Sequence, residues 1–257
     1  MSRRAENRTA TIAEIKALAR RQLVERGLGA LSLRGIARDM RTASSALYRY
    51  FASHEELVSA LVIDAYTSLA DTASAARDGA PNDDPARQWW AISHAYRRWA
   101  LANRADFALI FGTPVPGYQA PDQITGPAAG RSMAILIDTY VAAVRAGAAD
   151  PGRTQVPPCI QPGELLAVLI GDSVSDCPPQ QAAIALSAWV SLLGHLVGEI
   201  FGSLDHLVAD TDHLYRAHVR TVMLGMGFDP SHVDAFRLED IDRSAPAEAQ
   251  TPVSVRR

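Results

Sequence analysis

The sequence predicts an all-α fold, in which a small N-terminal unit of three helices precedes a larger helical domain. Segments rich in Ala, Leu and Arg carry apolar residues at helical spacing, and no sustained alternation of apolar and polar residues indicates a strand. All fifteen prolines of the 257-residue chain follow residue 80, so helices with short turns are expected before that point. We therefore divide the chain into residues 1–53, residues 54–234 and a polar tail, 235–257, which is expected to be disordered.

The first two helices are predicted from local start and stop signals. Thr11 and Glu14 have the spacing of a capping box, so the first helix is expected to begin near Thr11 and to end at Gly27. A second, short helix is expected to follow Ser32, whose hydroxyl suits the N-cap position.

A third helix, 44–51, is expected after a polar turn at 41–43, and a longer fourth helix begins at His54. Its start is predicted because Ser53 and Glu56 form another capping box. Two short helices joined by a three-residue turn and backed by a longer helix have the geometry of a helix-turn-helix unit.

Charge divides the chain in the same place. Residues 1–53 hold eleven Lys or Arg and four Asp or Glu, a net charge of +7, whereas the remainder carries −10. The basic part indicates a polyanionic partner, and attraction of this kind weakens as salt rises. The total of −3 alone would argue against nucleic acid.

The exposed side of the predicted third helix suits the major groove of DNA. Arg49 can make a bidentate contact to guanine, small residues let the helix approach closely, and hydroxyl or imidazole groups can hold phosphates. The predicted DNA-contacting residues are Ser32, Arg34, Thr42, Ser44, Ser45, Ala46, Tyr48, Arg49, Tyr50 and His54. Leu47 and Phe51 are interpreted as core residues.

The segments 32–37, 46–51 and 53–57 resemble the N-terminal module of the TetR family of bacterial transcriptional regulators, in order and spacing over about residues 11–60. The resemblance implies a homodimer that binds a palindromic operator, together with a C-terminal domain that usually binds a small molecule. Arg41 stands where family members usually have Gly, in a turn that often needs a left-handed conformation. Either Thr42 or Ser44 could replace the missing cap at Ala43.

A weaker resemblance links the C-terminal part to a TetR subfamily with a Trp-His-Gly signature. It rests on the segment 107–118 and on a second set of residues, Trp189, Gly194, Glu199, Phe201 and Gly202. The position of the signature's His is occupied by Leu193, so no ligand-binding role is transferred to that residue.

The segment 180–204 is apolar on two sides, which indicates a helix that packs both within its subunit and against another helix. With a second predicted helix, 206–226, it could build a four-helix interface between two subunits. A core helix of a monomer is the alternative. The predicted dimer contacts are Leu186, Val190, Leu193, Gly194, Val197, Gly198, Leu214 and Val222.

Aromatic and apolar residues of the larger domain could line a pocket for a small-molecule inducer. The candidates are Trp90, His94, Phe107, Phe111, Met133, Tyr140 and Trp189. Ordinary core packing is the alternative for each of them.

No phosphate loop, dinucleotide fingerprint or catalytic serine motif is present, so neither an enzyme nor a cofactor is expected. His206, Asp210 and His213 have metal-ligand spacing on a helix, but we interpret them as a solvated helix edge rather than a metal site. Cys159 and Cys177 are interpreted as ordinary thiols. No stretch of about 18 uncharged apolar residues occurs, so a cytoplasmic location without a membrane span is expected.

These observations favour a repressor that a small molecule releases from DNA. An architectural DNA-binding protein or a helix-turn-helix regulator with no inducer remains open, as does a regulator that responds to a protein partner. Ligand-dependent loss of operator binding would distinguish the first from the others.

Overall fold

The computed structural model describes residues 3–27, 29, 31–112, 118–154 and 177–236. These residues form ten α-helices, a short 3-10 helix and no strand, which confirms the predicted all-α fold. The helices are α1 Arg3–Arg26, α2 Leu33–Asp39, α3 Ser44–Leu47, α4 His54–Asp78, α5 Pro85–Ala102, α6 Arg104–Phe111, α7 Asp122–Arg145, α8 Pro179–Ile200, α9 Thr211–Gly225 and α10 Pro230–Asp234. The predicted tail from residue 237 onward and Cys159 lie outside the described residues.

The first helix begins at Arg3, so the predicted start near Thr11 is wrong. Thr11 lies inside α1, and its hydroxyl donates to the carbonyl of Asn7 at 2.9 Å instead of capping a free N–H group. No Pro or Gly interrupts residues 3–10, so the helix extends two turns beyond the capping-box signal.

The predicted caps of α2 and α4 are confirmed. The Ser32 hydroxyl accepts from the Gly35 N–H at 3.4 Å, and the Ser53 hydroxyl accepts from the Glu56 N–H at 3.2 Å. The Glu56 carboxylate accepts in return from the N–H of Ala52 at 2.5 Å.

The third helix is shorter than predicted, since α3 ends at Leu47 and residues 48–50 form turns. Neither Thr42 nor Ser44 takes over its cap: Ala43 occupies the N-cap position, and no side chain caps this end. Arg41 has a φ of 52°, which confirms the left-handed conformation expected at this turn position.

Two hydrophobic cores share α4. Its first turns bury Leu57, Leu61 and Val62 in the core of the N-terminal unit, which also receives Leu109 from α6. Later residues of α4, beginning at Ala65, pack into the larger core with α5, α7, α8 and α9. The predicted boundary at residue 53 therefore coincides with the N-cap of α4, while the packing of the N-terminal unit continues across it.

The last long helix starts later than predicted. Gly202 has a φ of 78° in the turns that follow α8, and α9 begins at Thr211 rather than His206. Asp210 is its N-cap, and its carboxylate accepts from the His213 N–H at 2.8 Å. His206 therefore lies in a turn, off the helix that carries His213, and no group of three or more potential metal ligands occurs in the described part of the chain.

Among the described helices, α8 alone is long and apolar enough to cross a membrane by length and composition. Core helices of globular proteins meet the same criteria. Within α8, Leu192 and Leu196 are buried against the rest of the subunit.

Candidate functional site

An exposed surface surrounds α3, and two buried side chains hold it in place. Leu47 is 1% exposed and Phe51 is 4% exposed, so both anchor this segment in the N-terminal core as predicted. On the outer side, Thr42, Ser45 and Arg49 are exposed. We call residues 42–49 the recognition surface. Ser44, Ala46 and Tyr48 also belong to it, and Tyr48 is 49% exposed.

The other predicted DNA-contacting residues flank this surface in different settings. Arg34 is exposed on α2, and His54 is the first residue of α4. The Ser32 hydroxyl is already engaged in its cap, while its N–H donates to the Gln22 side chain at 3.2 Å. Tyr50 is half-buried against the N-terminal core.

Arg8 also belongs to this region, although it lies before the predicted start of the first helix and was not among the predicted DNA-contacting residues. Its Nη1 donates to the carbonyl oxygen of Arg49 at 3.3 Å, and its guanidinium lies 5.2 Å from the centre of the Tyr50 ring. Residues 3–10 contain no Gly or Pro, and this feature of the sequence could have predicted that α1 starts before Thr11. The additional turns bring Arg8 next to the recognition surface.

A small apolar cavity of about 10 Å³ lies inside the larger domain. Its lining comes from α4, α5, α6 and α8 and comprises Leu69, Tyr96, Trp99, Phe107, Phe111, Trp189, Leu192, Leu193 and Leu196. Two polar groups of this lining are already satisfied: the Trp99 indole N–H donates to Ser68 at 3.0 Å, and the Tyr96 hydroxyl donates to the Ser132 carbonyl at 2.8 Å. The volume matches about one water molecule, so an organic ligand would require the cavity to widen.

Only three of the seven predicted pocket residues, Phe107, Phe111 and Trp189, line this cavity. Trp90 and His94 instead contact each other, with ring centres 4.6 Å apart. Tyr140 is fully buried and donates to the Met226 carbonyl at 2.8 Å. Met133 packs against the larger core, outside the cavity lining.

A polar cluster around the buried carboxylate of Glu199 lies where α5, α8 and α9 meet. Arg97 donates to both carboxylate oxygens of Glu199, at 2.8 and 2.6 Å, and also to Asp212. The hydrogen bond to Glu199 raises the pKa of Arg97 above its ordinary value. Since the Glu199 side chain is only 5% exposed, Arg97 neutralises a charge that water cannot solvate.

His94 belongs to the same cluster and stays neutral. Its Nε2 is buried without a hydrogen-bond partner, and its ring lies edge-on to Tyr215 at 5.5 Å. Burial, reinforced by the positive charges of Arg98, Arg97 and Arg216, lowers the pKa of His94 from 6.5 to about 3.

Helix α6 contacts both the cavity and the N-terminal unit. Phe107 and Phe111 face the cavity, whereas Leu109 is buried in the N-terminal core. In the first turn of α6, Asp106 accepts from the Arg20 Nε at 3.1 Å, which connects α6 to α1. Helix α6 thus lies between the cavity and α1, and contacts both.

The predicted dimer contacts differ in how much of each is exposed within one subunit. Val190 is 54% exposed, and a side chain added at Gly194 would meet no atom within 4 Å. Leu186, Leu193, Val197 and Leu214 are half-buried. By contrast, Val222 is only 8% exposed, and Gly198 is covered by Leu204, whose Cγ lies 3.4 Å from an added Cβ. The accessible part of the predicted interface thus centres on Val190 and Gly194.

Two family models match the chain. Residues 15–61 match a model described as bacterial regulatory proteins of the tetR family, and residues 89–222 match a tetracyclin repressor-like C-terminal domain. HTH-type transcriptional regulators of Mycobacterium bovis and Mycobacterium tuberculosis are 42% identical to the chain over 147 residues. This match covers 57% of the chain and 63% of each relative, so it spans less than two thirds of their length.

Solved structures agree with these matches. A crystal structure of SCO4313, assigned as a regulatory protein, has a TM-score of 0.68 and 34% identity, covering 86% of this chain and 99% of that one. A protein with unknown function from Rhodococcus sp. RHA1 has a TM-score of 0.63 and 25% identity, covering 84% and 95%. Because the C-terminal family model alone spans more than half of the sequence, the chain belongs to the TetR family of bacterial transcriptional regulators.

Proposed function

We propose that the protein is a cytoplasmic, homodimeric repressor that binds a palindromic operator through its recognition surface and is released by a small molecule. The observation that carries this proposal is the exposed Arg49 beside a helix anchored by Leu47 and Phe51. A fixed backbone with an outward guanidinium suits base readout, because a bidentate contact to guanine requires a defined approach. Ser45 and Ala46 are small enough to let the helix enter the groove.

Replacing Arg49 with alanine is expected to lower operator affinity by about 1–3 kcal/mol and to relax the preference at one base pair. Fluorescence anisotropy with a duplex selected by the parent protein from genomic fragments measures this change. Arg153→Ala, which removes the same charge from an exposed site in the larger domain, is the control and should retain the parent affinity. An Arg49→Ala affinity within twofold of the parent would contradict the readout role.

The proposed dimer pairs the exposed faces of α8 and α9 from two subunits. Gly194 offers a clean test, because a side chain there has open space within its own subunit. We expect Gly194→Arg to yield monomers at micromolar concentration in sedimentation equilibrium, since the charged side chain would lie in the apolar contact with the partner.

The control for this test is Gly29→Arg, in the N-terminal unit and outside α8 and α9, where an added side chain also meets nothing within 4 Å. It should remain dimeric. A parent protein that is already monomeric at this concentration would exclude the proposed interface.

Release by a ligand would run through α6, which connects the cavity to α1. Widening the cavity moves Phe107 or Phe111 and thereby the Asp106–Arg20 pair and Leu109. A coupling of about 1–3 kcal/mol would weaken operator binding roughly 5- to 150-fold. The bound ligand would favour dimers in which the spacing of the two recognition surfaces no longer matches successive major grooves, which lie about 34 Å apart.

A regulator or architectural protein with no inducer is the second candidate, and the small volume of the cavity favours it. Its operator affinity would stay constant in the presence of apolar small molecules. For the inducible repressor, at least one such compound must release the DNA.

A further inference from the structure

The helix at the recognition surface has little stability of its own. Helix α3 contains four residues, fewer than an isolated helix needs. Its N-cap residue, Ala43, makes no side-chain hydrogen bond, and the preceding Arg41 occupies the left-handed region, which strains a residue with a Cβ atom. Contacts from elsewhere must therefore fix the orientation of the residues that follow it.

Leu47 and Phe51 hold the inner side, but Arg49 lies between them and points outward. The backbone bond from the Arg49 N–H to the Ala46 carbonyl is long, at 3.4 Å. In this turn, the Arg49 carbonyl accepts from Arg8, and the same guanidinium covers the ring of the next residue, Tyr50. One side chain thus contacts both the backbone carbonyl of Arg49 and the ring of the residue that follows it.

The position of Arg8 is itself fixed by the rest of α1. Further along the helix, Lys16 donates to Asp64 at 2.8 Å, and Arg20 donates to Asp64 and Asp106, each at 3.1 Å. Ile15 and Ala19 are fully buried in the N-terminal core. Since α1 is continuous from Arg3, these contacts set where its first turns lie relative to the recognition surface.

We propose that Arg8 is a positioning residue for DNA readout, which holds the turn after α3 so that Arg49 meets its base in the required orientation. This inference rests on the proposed function. A guanidinium is needed because it donates a hydrogen bond at its edge while its plane covers an aromatic ring; a lysine ammonium is a single point charge. Arg8 therefore acts on base discrimination rather than on general attraction to DNA.

The test compares Arg8→Ala, Arg8→Lys and Arg3→Ala, the last removing the same charge from the exposed first turn of the same helix. Affinities for the selected duplex and for a scrambled duplex of equal length are measured at several salt concentrations. Circular dichroism confirms that each variant is folded. For Arg8→Ala we expect the ratio of specific to non-specific affinity to fall about 3- to 10-fold, as for one lost hydrogen bond, with the salt dependence unchanged.

Arg8→Lys should show the same loss of discrimination, and Arg3→Ala should retain the parent ratio. Three results would overturn the inference: an unchanged ratio in Arg8→Ala, full rescue by Arg8→Lys, or equal loss of both affinities with a salt slope smaller by about one, which marks a phosphate contact. Failure of the proposed function is a separate outcome, because the parent protein itself would then not distinguish the two duplexes.

Discussion

Replacing Arg97 with alanine is expected to lower the free energy of unfolding by about 3–5 kcal/mol, the largest effect of any single change discussed. The reason is the carboxylate left behind. Glu199 is 5% exposed, and Arg97 supplies hydrogen bonds to both of its oxygens. Without Arg97, a negative charge remains buried in the core where α5, α8 and α9 meet. Urea denaturation of the full chain, followed by circular dichroism, measures the loss.

A surface ion pair of the same geometry is the control. Arg220 and Asp234 also approach to 2.6 Å, but their side chains are 49% and 52% exposed. Arg220→Ala should therefore lower the free energy of unfolding by no more than about 1 kcal/mol.

In the double variant Arg97→Met with Glu199→Leu, most of the lost stability should return, because no buried charge is left unpaired. If Arg97→Ala and Arg220→Ala lower the free energy of unfolding equally, burial of Glu199 is not the reason for the large effect at Arg97.

The second large effect is a loss of stability in mild acid. His94 has a pKa of about 3 in the folded protein and 6.5 as its ordinary value. Between these values the unfolded chain binds more protons than the folded one, so stability present above pH 6.5 declines as the pH falls toward 3. We expect His94 alone to lower the free energy of unfolding by about 2 kcal/mol between pH 8 and pH 5. Burial also lowers the pKa of His195, so that residue contributes in the same direction.

Unfolding in urea across pH 5–8 tests this expectation with one matched pair of variants. His94→Phe keeps a ring between Trp90 and Tyr215 but cannot bind a proton, so its stability should change less with pH than that of the parent. His213→Gln changes an exposed histidine and should leave the profile as it was. If His94→Phe keeps the full decline, the loss of stability has another origin.

Local signals predicted those parts of the fold that depend on neighbouring residues. Ser32 and Ser53 cap their helices as expected, because a hydroxyl three residues before a free N–H group needs no tertiary partner. Thr11 matched the same pattern but lies mid-helix. Side-chain spacing alone did not reveal that the preceding residues could continue the helix. At α9 the informative residue was Asp210, whose capping role places the helix start five residues after His206.

The residues that line the cavity were harder to predict than the exposure of Arg49. Aromatic composition marks a residue as buried without telling which neighbours surround it. Trp90, His94 and Tyr140 are buried as expected, yet each also contacts a residue far away in the sequence, such as Phe236 for Trp90 and Met226 for Tyr140. Arg49, by contrast, was predicted to face outward from the periodicity of its own segment alone, and it is exposed.

The sharing of α4 by two cores limits how this protein can be divided or recombined. A fragment that stops at residue 53 would lack Leu57, Leu61 and Val62, and would leave the apolar side of α1 and α2 uncovered. A chimeric regulator that transplants only the first 53 residues would face the same problem. Its junction is better placed after Val62, within a continuous helix, and the graft must also supply an equivalent of Leu109 from α6.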